Sequence, residues 1–483
     1  QVSSTLPATM AHSPGTSTPP KAPPRHKRLL AVALTAATAS SFVHHGTVAP
    51  RAGGSSHVAS PLPNQRPLSA GQAPQRQRVM VVVSPAAASV AVDDATSPSV
   101  GEEEEEERVV VAGEGAEAPA PQKEPSSPEA RALAAEVMNG LEGRLPESLL
   151  PTLSGFVSTY LGVVADELGR DPASALPVLE EYVGLVEAQL ASPFKFQPYH
   201  RAVLSPVDHY DLDARFMEPL IDLDDSVVLG HELFDVVKEQ LAAGDNVVFL
   251  SNHQTEADPS AWSALFDRGD EKWRDEVFAR DMVMVAGDRV TTDPVAVPFS
   301  KARNLLCIYS KRHMDNPPER KREKQMHNTR TMGAMLKLLT TGGACVWVAP
   351  SGGRDRPDED SGSFNAPAPF DPKSVEMFRV MANKISLLKK THFWPMAMLT
   401  HRLFPPPSKV NTALGEPRIA LRGSVSICLR PELDFDAVVT PDYVKANFPD
   451  HATDDKDAAR LLGARYAYDE CKAAYDALLQ DAV

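Results

Sequence analysis

Apolar positions recur one turn apart where the chain first becomes foldable. Leu133, Val137 and Leu141 trace one stripe, and Leu153, Phe156, Val157, Tyr160, Leu161 and Val164 trace a second. That period belongs to helices burying one face. Gly169-Arg170-Asp171-Pro172 breaks the second helix, and a third is expected over 173–191. After residue 193 the pattern changes to short β-branched runs alternating with helical stretches, as in an α/β domain. Strands are expected at 246–250, 282–285, 305–309, 344–348 and 394–400, with a pair at 418–421 and 425–429; the long helices are expected at 227–242, 320–339 and 457–479. The fold class is therefore α/β, a mixed sheet flanked by helices and preceded by a small amino-terminal helical bundle.

Residues 1–127 show no such pattern. They are rich in Ala, Ser, Pro, Val, Gly and Gln, carry a glutamate run at 102–107, and have few aromatic residues with which to build a core. A chain of 483 residues exceeds the usual size of a single core. Three parts are expected: a disordered leader and spacer at 1–127, a helical bundle domain at 128–192 and an α/β catalytic domain at 193–483.

Charge and cysteine usage exclude several functions. The formal net charge of -15 argues against a nucleic-acid surface and against general attraction to anionic membranes, so an anionic substrate needs a local basic patch. No uninterrupted apolar run reaches the roughly 18 to 20 residues that span a bilayer. No transmembrane segment is expected, and the folded part should be soluble, with peripheral membrane contact at most. Cys307, Cys345, Cys428 and Cys471 are widely spaced with no CxxC pair and fit reduced core residues. No metal site and no cofactor are expected.

The chain opens on Gln1, and Met10 is one candidate start. A basic stretch at 21–28 precedes the short apolar run LLAVALTAATAS at 29–40 and then Phe42 with an almost acid-free segment, an order that reads as a signal followed by a transit peptide. Such a two-part leader resembles those that import proteins into complex plastids; a simple transit peptide is the alternative.

The distinctive polar clusters begin where predicted strands end, the usual place for ligands in α/β sheets. The strand at 246–250 runs into Ser251-Asn252-His253-Gln254-Thr255-Glu256-Ala257-Asp258-Pro259. A histidine there can take a proton near neutral pH, and a carboxylate on its other nitrogen would fix the tautomer. Asp258 with Pro259 could equally start the next helix as a cap, or do both. A second cluster holds Gly287-Asp288-Arg289-Val290. A third, Tyr309-Ser310-Lys311-Arg312-His313-Met314, suits an anionic group. The fourth is Ala349-Pro350-Ser351-Gly352-Gly353-Arg354-Asp355-Arg356-Pro357, whose glycines permit close backbone approach and whose guanidiniums can grip a phosphate, unless Asp355 ties one up.

Together these clusters, with PFKFQPYH at 193–200, residues 303–310 and the prolines at 405–407, resemble the soluble plastid glycerol-3-phosphate acyltransferases of the HxxxxD glycerolipid acyltransferase superfamily over about 193–433. The resemblance implies transfer of a fatty acyl group from an acyl carrier protein or CoA thioester to the sn-1 hydroxyl of glycerol 3-phosphate, in the plastid stroma. His253 and Asp258 would be catalytic, with Arg312, His313, Arg354 and Arg356 around the phosphate. Arg312 stands where the family pattern has Lys. A weaker expectation places acyl carrier protein against Arg320, Lys321, Arg322 and Lys324. A lysophosphatidate acyltransferase fits less well, because its Glu-Gly-Thr-Arg-type cluster is replaced by Ser351-Gly352-Gly353-Arg354. A non-catalytic acyl-carrier or lipid-binding module would not need His253, Asp258 and both arginines.

Overall fold

All six residues of strand β3, Asn246–Ser251, are buried, which is what a parallel strand covered on both faces requires. The computed structural model describes residues 124–310, 314–358, 361–407, 418–449 and 455–481. The leader expected at 1–127 therefore lies almost wholly outside the described residues, as do Arg312 and His313.

The sheet has eight strands: β1 Tyr199–His200, β2 Ile221–Leu229, β3, β4 Val283–Gly287, β5 Asn304–Ile308, β6 Cys345–Val348, β7 Thr391–Leu399 and β8 Gly423–Leu429. Their spatial order is β1-β5-β4-β6-β3-β7-β8-β2. Strands β5, β4, β6, β3 and β7 run parallel; β1 and β8 join antiparallel, and β2 runs parallel to β8. The sheet is thus mixed, as expected. The longer helices are α1 Pro128–Leu141, α2 Leu150–Gly162, α3 Leu176–Ala191, α4 His209–Met217, α5 Leu233–Ala242, α6 Asp258–Arg268, α7 Lys321–Thr341, α8 Pro372–Ile385 and α9 Lys456–Asp481.

Successive side chains of a strand face opposite sides, and β3 shows the two layers that result. Val247 and Phe249 pack with Phe234, Trp262, Phe266 and Phe278, in a cluster that also takes in residues of α1, α2 and α3. Val248 and Leu250 face Met335 and Leu339 of α7, Phe378 of α8 and Tyr475 of α9. The helices before residue 193 share their hydrophobic cluster with the sheet.

Three expectations need correction. The helix expected at 227–242 begins only at Leu233, because Val227, Val228 and Leu229 pair with Ser426, Ile427 and Cys428. Gly230, at φ 71°, makes the turn between them; an added Cβ there would meet the Leu429 carbonyl oxygen at 2.3 Å. Strand β2 was not expected, since Asp222, Asp224 and Asp225 obscure its pattern; it is an edge strand whose register shifts between Asp222 and Val227, where charge is tolerated. Residues 418–421 are not a strand: Ala420 N–H donates to Thr159 Oγ1 and Leu421 N–H to the Leu403 carbonyl.

One helical run is longer than the apolar pattern in the sequence. Residues Glu147–Glu167 form a continuous helical run of 21 residues, long and apolar enough by length and composition to cross a membrane, although the apolar positions are interrupted in sequence. Of its most apolar stretch 61% is buried inside the protein. Phe156 stacks on Phe216 at 5.6 Å, and Tyr160 Oη donates to the Phe216 carbonyl at 2.9 Å. These contacts are those of a core helix.

Candidate active site

Because β3 to β7 are parallel, their carboxyl ends share one edge of the sheet. That edge brings together the segments at 251–258, 287–288, 309–310, 349–357 and 400–401. Strand β3 lies between β6 and β7, and the chain crosses it in passing from β6 through α8 to β7. Such a reversal of strand order opens a crevice at the strand ends.

At the end of β3, His253 Nδ1 lies 2.7 Å from Asp258 Oδ2; the carboxylate is buried and the imidazole partly exposed. Asp258 is the first residue of α6, but its side chain turns back instead of capping the helix. It accepts the Gln254 N–H at 2.8 Å, the Thr255 N–H at 3.1 Å and the hydroxyl of Thr400. These donors hold it as a carboxylate acceptor facing His253. With Nδ1–H committed to Asp258, Nε2 is the nitrogen left to take a proton.

The loop around this pair is pinned to its neighbours. Asn252 Nδ2 donates to Asp355 Oδ2 at 2.8 Å and to the Met398 carbonyl at 3.1 Å, while its Oδ1 accepts the Met398 N–H at 2.8 Å. Gln254 accepts the Thr400 and His401 N–H groups and donates to Tyr475 Oη. The Trp347 and His253 rings meet in a T-shaped contact, centroids 5.9 Å apart.

An ion network continues outward. Glu256 accepts both arms of Arg418, at 2.9 and 3.1 Å, and Arg418 also reaches Asp293 at 2.7 Å. Arg354 Nη1 lies 3.8 Å from Glu256 Oε1. Burial pushes the Glu256 carboxyl up, but Arg418 outweighs it and holds the group below its ordinary range. Arg356 donates to the Pro407 carbonyl at 2.8 Å. Glu256, Arg354, Arg418, Phe404, Pro405, Pro407 and Ile419 line a small pocket beside the dyad loop.

Asp355 does not tie up a neighbouring arginine through its carboxylate; it points inward and accepts from Asn252 and from the Ala368 N–H. Burial pushes it up to about 6. Of the residues proposed for carrier-protein docking, Arg320 and Lys321 are exposed and paired with Glu323 and Asp315, and Arg322 is exposed. Lys324 is buried, donating to the Asn316 carbonyl, and drops out of an exposed patch. All four cysteines are free and buried, with the Cys307 and Cys428 thiols pushed up to about 12 and about 11 by burial, so none is a ready nucleophile.

Asn252, Gln254 and Glu256 sit inside a segment legible in the sequence, yet their roles were not. Thr400 and Arg418 carry no local signal, because they reach the loop from distant strand ends.

Residues 234–399 match the protein-family model described as Acyltransferase. The chain is similar to the chloroplastic glycerol-3-phosphate acyltransferase ATS11 of Cucurbita moschata, 38% identical over 298 residues, covering 61% of this chain and 65% of that protein. The chloroplastic glycerol-3-phosphate acyltransferase of Spinacia oleracea is 34% identical, with 61% of each chain covered, and that of Arabidopsis thaliana is 36% identical over 61% of this chain and 63% of its own. The chain thus spans less than two thirds of the length of these relatives. A solved 1-acyl-sn-glycerophosphate acyltransferase from Thermotoga maritima aligns over 68% of this chain and 97% of its own at 14% identity with a TM-score of 0.30, a likeness too slight to bear on the fold.

Proposed function

We propose, from an Acyltransferase-family domain over residues 234–399, that this protein is a glycerol-3-phosphate 1-O-acyltransferase. The observation that carries the reading is the His253–Asp258 pair at the end of β3, whose carboxylate is fully occupied by donors and whose loop reaches Arg354 through Glu256.

In the proposed reaction His253 Nε2 removes the proton from the sn-1 hydroxyl as that oxygen attacks the thioester carbonyl. Asp258 supports the imidazolium that forms. The carbon–sulfur bond then breaks, and the imidazolium returns a proton to the departing thiolate, so no acyl-enzyme is needed. Arg354 and Arg356, with Arg312 and His313, are proposed to hold the phosphate so that binding energy becomes position. The products are lysophosphatidate and a free thiol. Acyl carrier protein is the proposed donor partner, meeting the exposed Arg320, Lys321 and Arg322, with acyl-CoA as the alternative donor. The plastid is the proposed location, and the stroma the finer reading, since the relatives are named chloroplastic.

The purified chain, given an acyl thioester and either glycerol 3-phosphate or lysophosphatidate, is expected to acylate the first acceptor. Acylation of lysophosphatidate alone would overturn the reading.

A further inference from the structure

Between the two arginines assigned to the phosphate stands Asp355, and its surroundings differ sharply from theirs. It is 0% exposed, whereas Arg354 and Arg356 on either side are partly exposed. Its backbone N–H donates to the carbonyl oxygen of His253. One carboxylate oxygen accepts from Asn252, the residue immediately before His253, and the other accepts from the Ala368 N–H at 2.8 Å, closing the loop between β6 and α8. Asn252 in turn brackets Met398 of β7 through two bonds.

We propose that Asp355 is a positioning residue that fixes the phosphate-holding arm after β6 to the general-base loop after β3. The proposal rests on the acyltransferase reading for its kinetic consequence, though the clamp itself does not.

The chemistry of the donors explains the residue type. Two N–H groups converge on two oxygens, and only an acceptor on both sides satisfies them; an asparagine would turn its own NH₂ toward one donor. Taking a carboxylate out of water is costly, and this one is pushed up to about 6 by its burial. A group kept at such cost is a poor device for stability. What it accomplishes is geometric. One residue couples the backbone of the base to the segment carrying both guanidiniums, while Asn252 extends the coupling to β7.

Asp355→Asn tests this, with Asn252→Ser as a second variant that removes the amide donor and leaves the carboxylate. Amide hydrogen exchange is expected to quicken in both 252–258 and 354–368, with the melting temperature of Asp355→Asn not lowered. In steady state with acyl-CoA, KM for glycerol 3-phosphate is expected to rise about ten-fold and kcat to fall about ten-fold, with KM for acyl-CoA unchanged. A ten-fold change corresponds to 1.4 kcal/mol. Exchange that quickens in one segment only, or in neither, would overturn the clamp. A fall in kcat with KM for glycerol 3-phosphate unchanged would overturn the coupling. If the wild-type chain does not acylate glycerol 3-phosphate, the acyltransferase reading fails by itself, and exchange in the two segments still decides for or against the clamp.

Discussion

His253 and the two arginines are assigned different work, and the difference is measurable. A general base contributes about 10²- to 10⁴-fold to rate, so His253→Ala is expected to lower kcat within that range while glycerol 3-phosphate still binds. The imidazole is partly exposed, so circular dichroism should remain native. Arg354→Ala or Arg356→Ala removes a charged hydrogen bond worth about 1.5 to 3 kcal/mol in ground and transition states alike. Each is expected to raise KM for glycerol 3-phosphate about ten-fold or more, with a smaller change in kcat. Near-normal kcat in the histidine variant would return Asp258 to a purely structural role at the start of α6. Normal KM in the arginine variants would move the phosphate elsewhere.

Among elements, the contact that decides most is made by the segment leading into β8. Arg418 stands just before that strand, forks onto Glu256 of the loop after β3, and also holds Asp293 after β4. Three strand ends are thereby tied by one guanidinium. Such a planar fork is poorly replaced by lysine. Arg418→Met leaves two carboxylates facing each other without their cation, and breaking a buried pair from one side costs about 3 to 5 kcal/mol. Arg418 and Glu256 keep some exposure, so a loss of about 2 kcal/mol is the expected scale. Glu256 would then have Arg354 as its nearest cation in the network, in competition with the phosphate. Thermal melts should therefore show a lowered Tm, and kinetics a raised KM for glycerol 3-phosphate. A lowered Tm with unchanged KM would show that Arg418 only braces the fold.

For the whole molecule, pH dependence follows from groups spread over both ends of the sheet. Burial pushes His200, His209 and His401 down to about 4. Between that value and the ordinary 6.5 the unfolded chain binds more protons at these sites than the folded one, so their contribution to stability falls as pH falls. Asp355, raised from 3.8 to about 6, acts oppositely: its folded form holds the extra proton, and its contribution falls as pH rises through that window. Glu180 and Asp469, also raised by burial, act in the same sense as Asp355, whereas Glu256 and Glu432, both held low, join the three histidines in the loss in acid. Tm is expected to drop on going from pH 6.5 to pH 4, and less steeply in His209→Gln. An equal slope in that variant would remove His209 from the account.

The α/β class, most strand positions and the base candidate were legible in the chain alone, because each rests on local information: β-branched runs, a helical stripe, a histidine and an aspartate five residues apart. Helix 227–242 was misplaced because Gly230 ends β2 only through its approach to Leu429, a contact across the sheet. Tertiary structure alone decided that Asp258 turns back toward His253 instead of capping α6, since three of its donors come from the loop it closes and the fourth, Thr400, from the end of β7. It also decided that Asp355 faces inward while its neighbours do not, and that Lys324 is buried among its basic companions. Residue type and spacing determine which groups are available for the proposed proton transfer and phosphate binding. Which of them meet depends on strand order, because a parallel sheet sets side by side ends that the chain separates by a hundred residues or more.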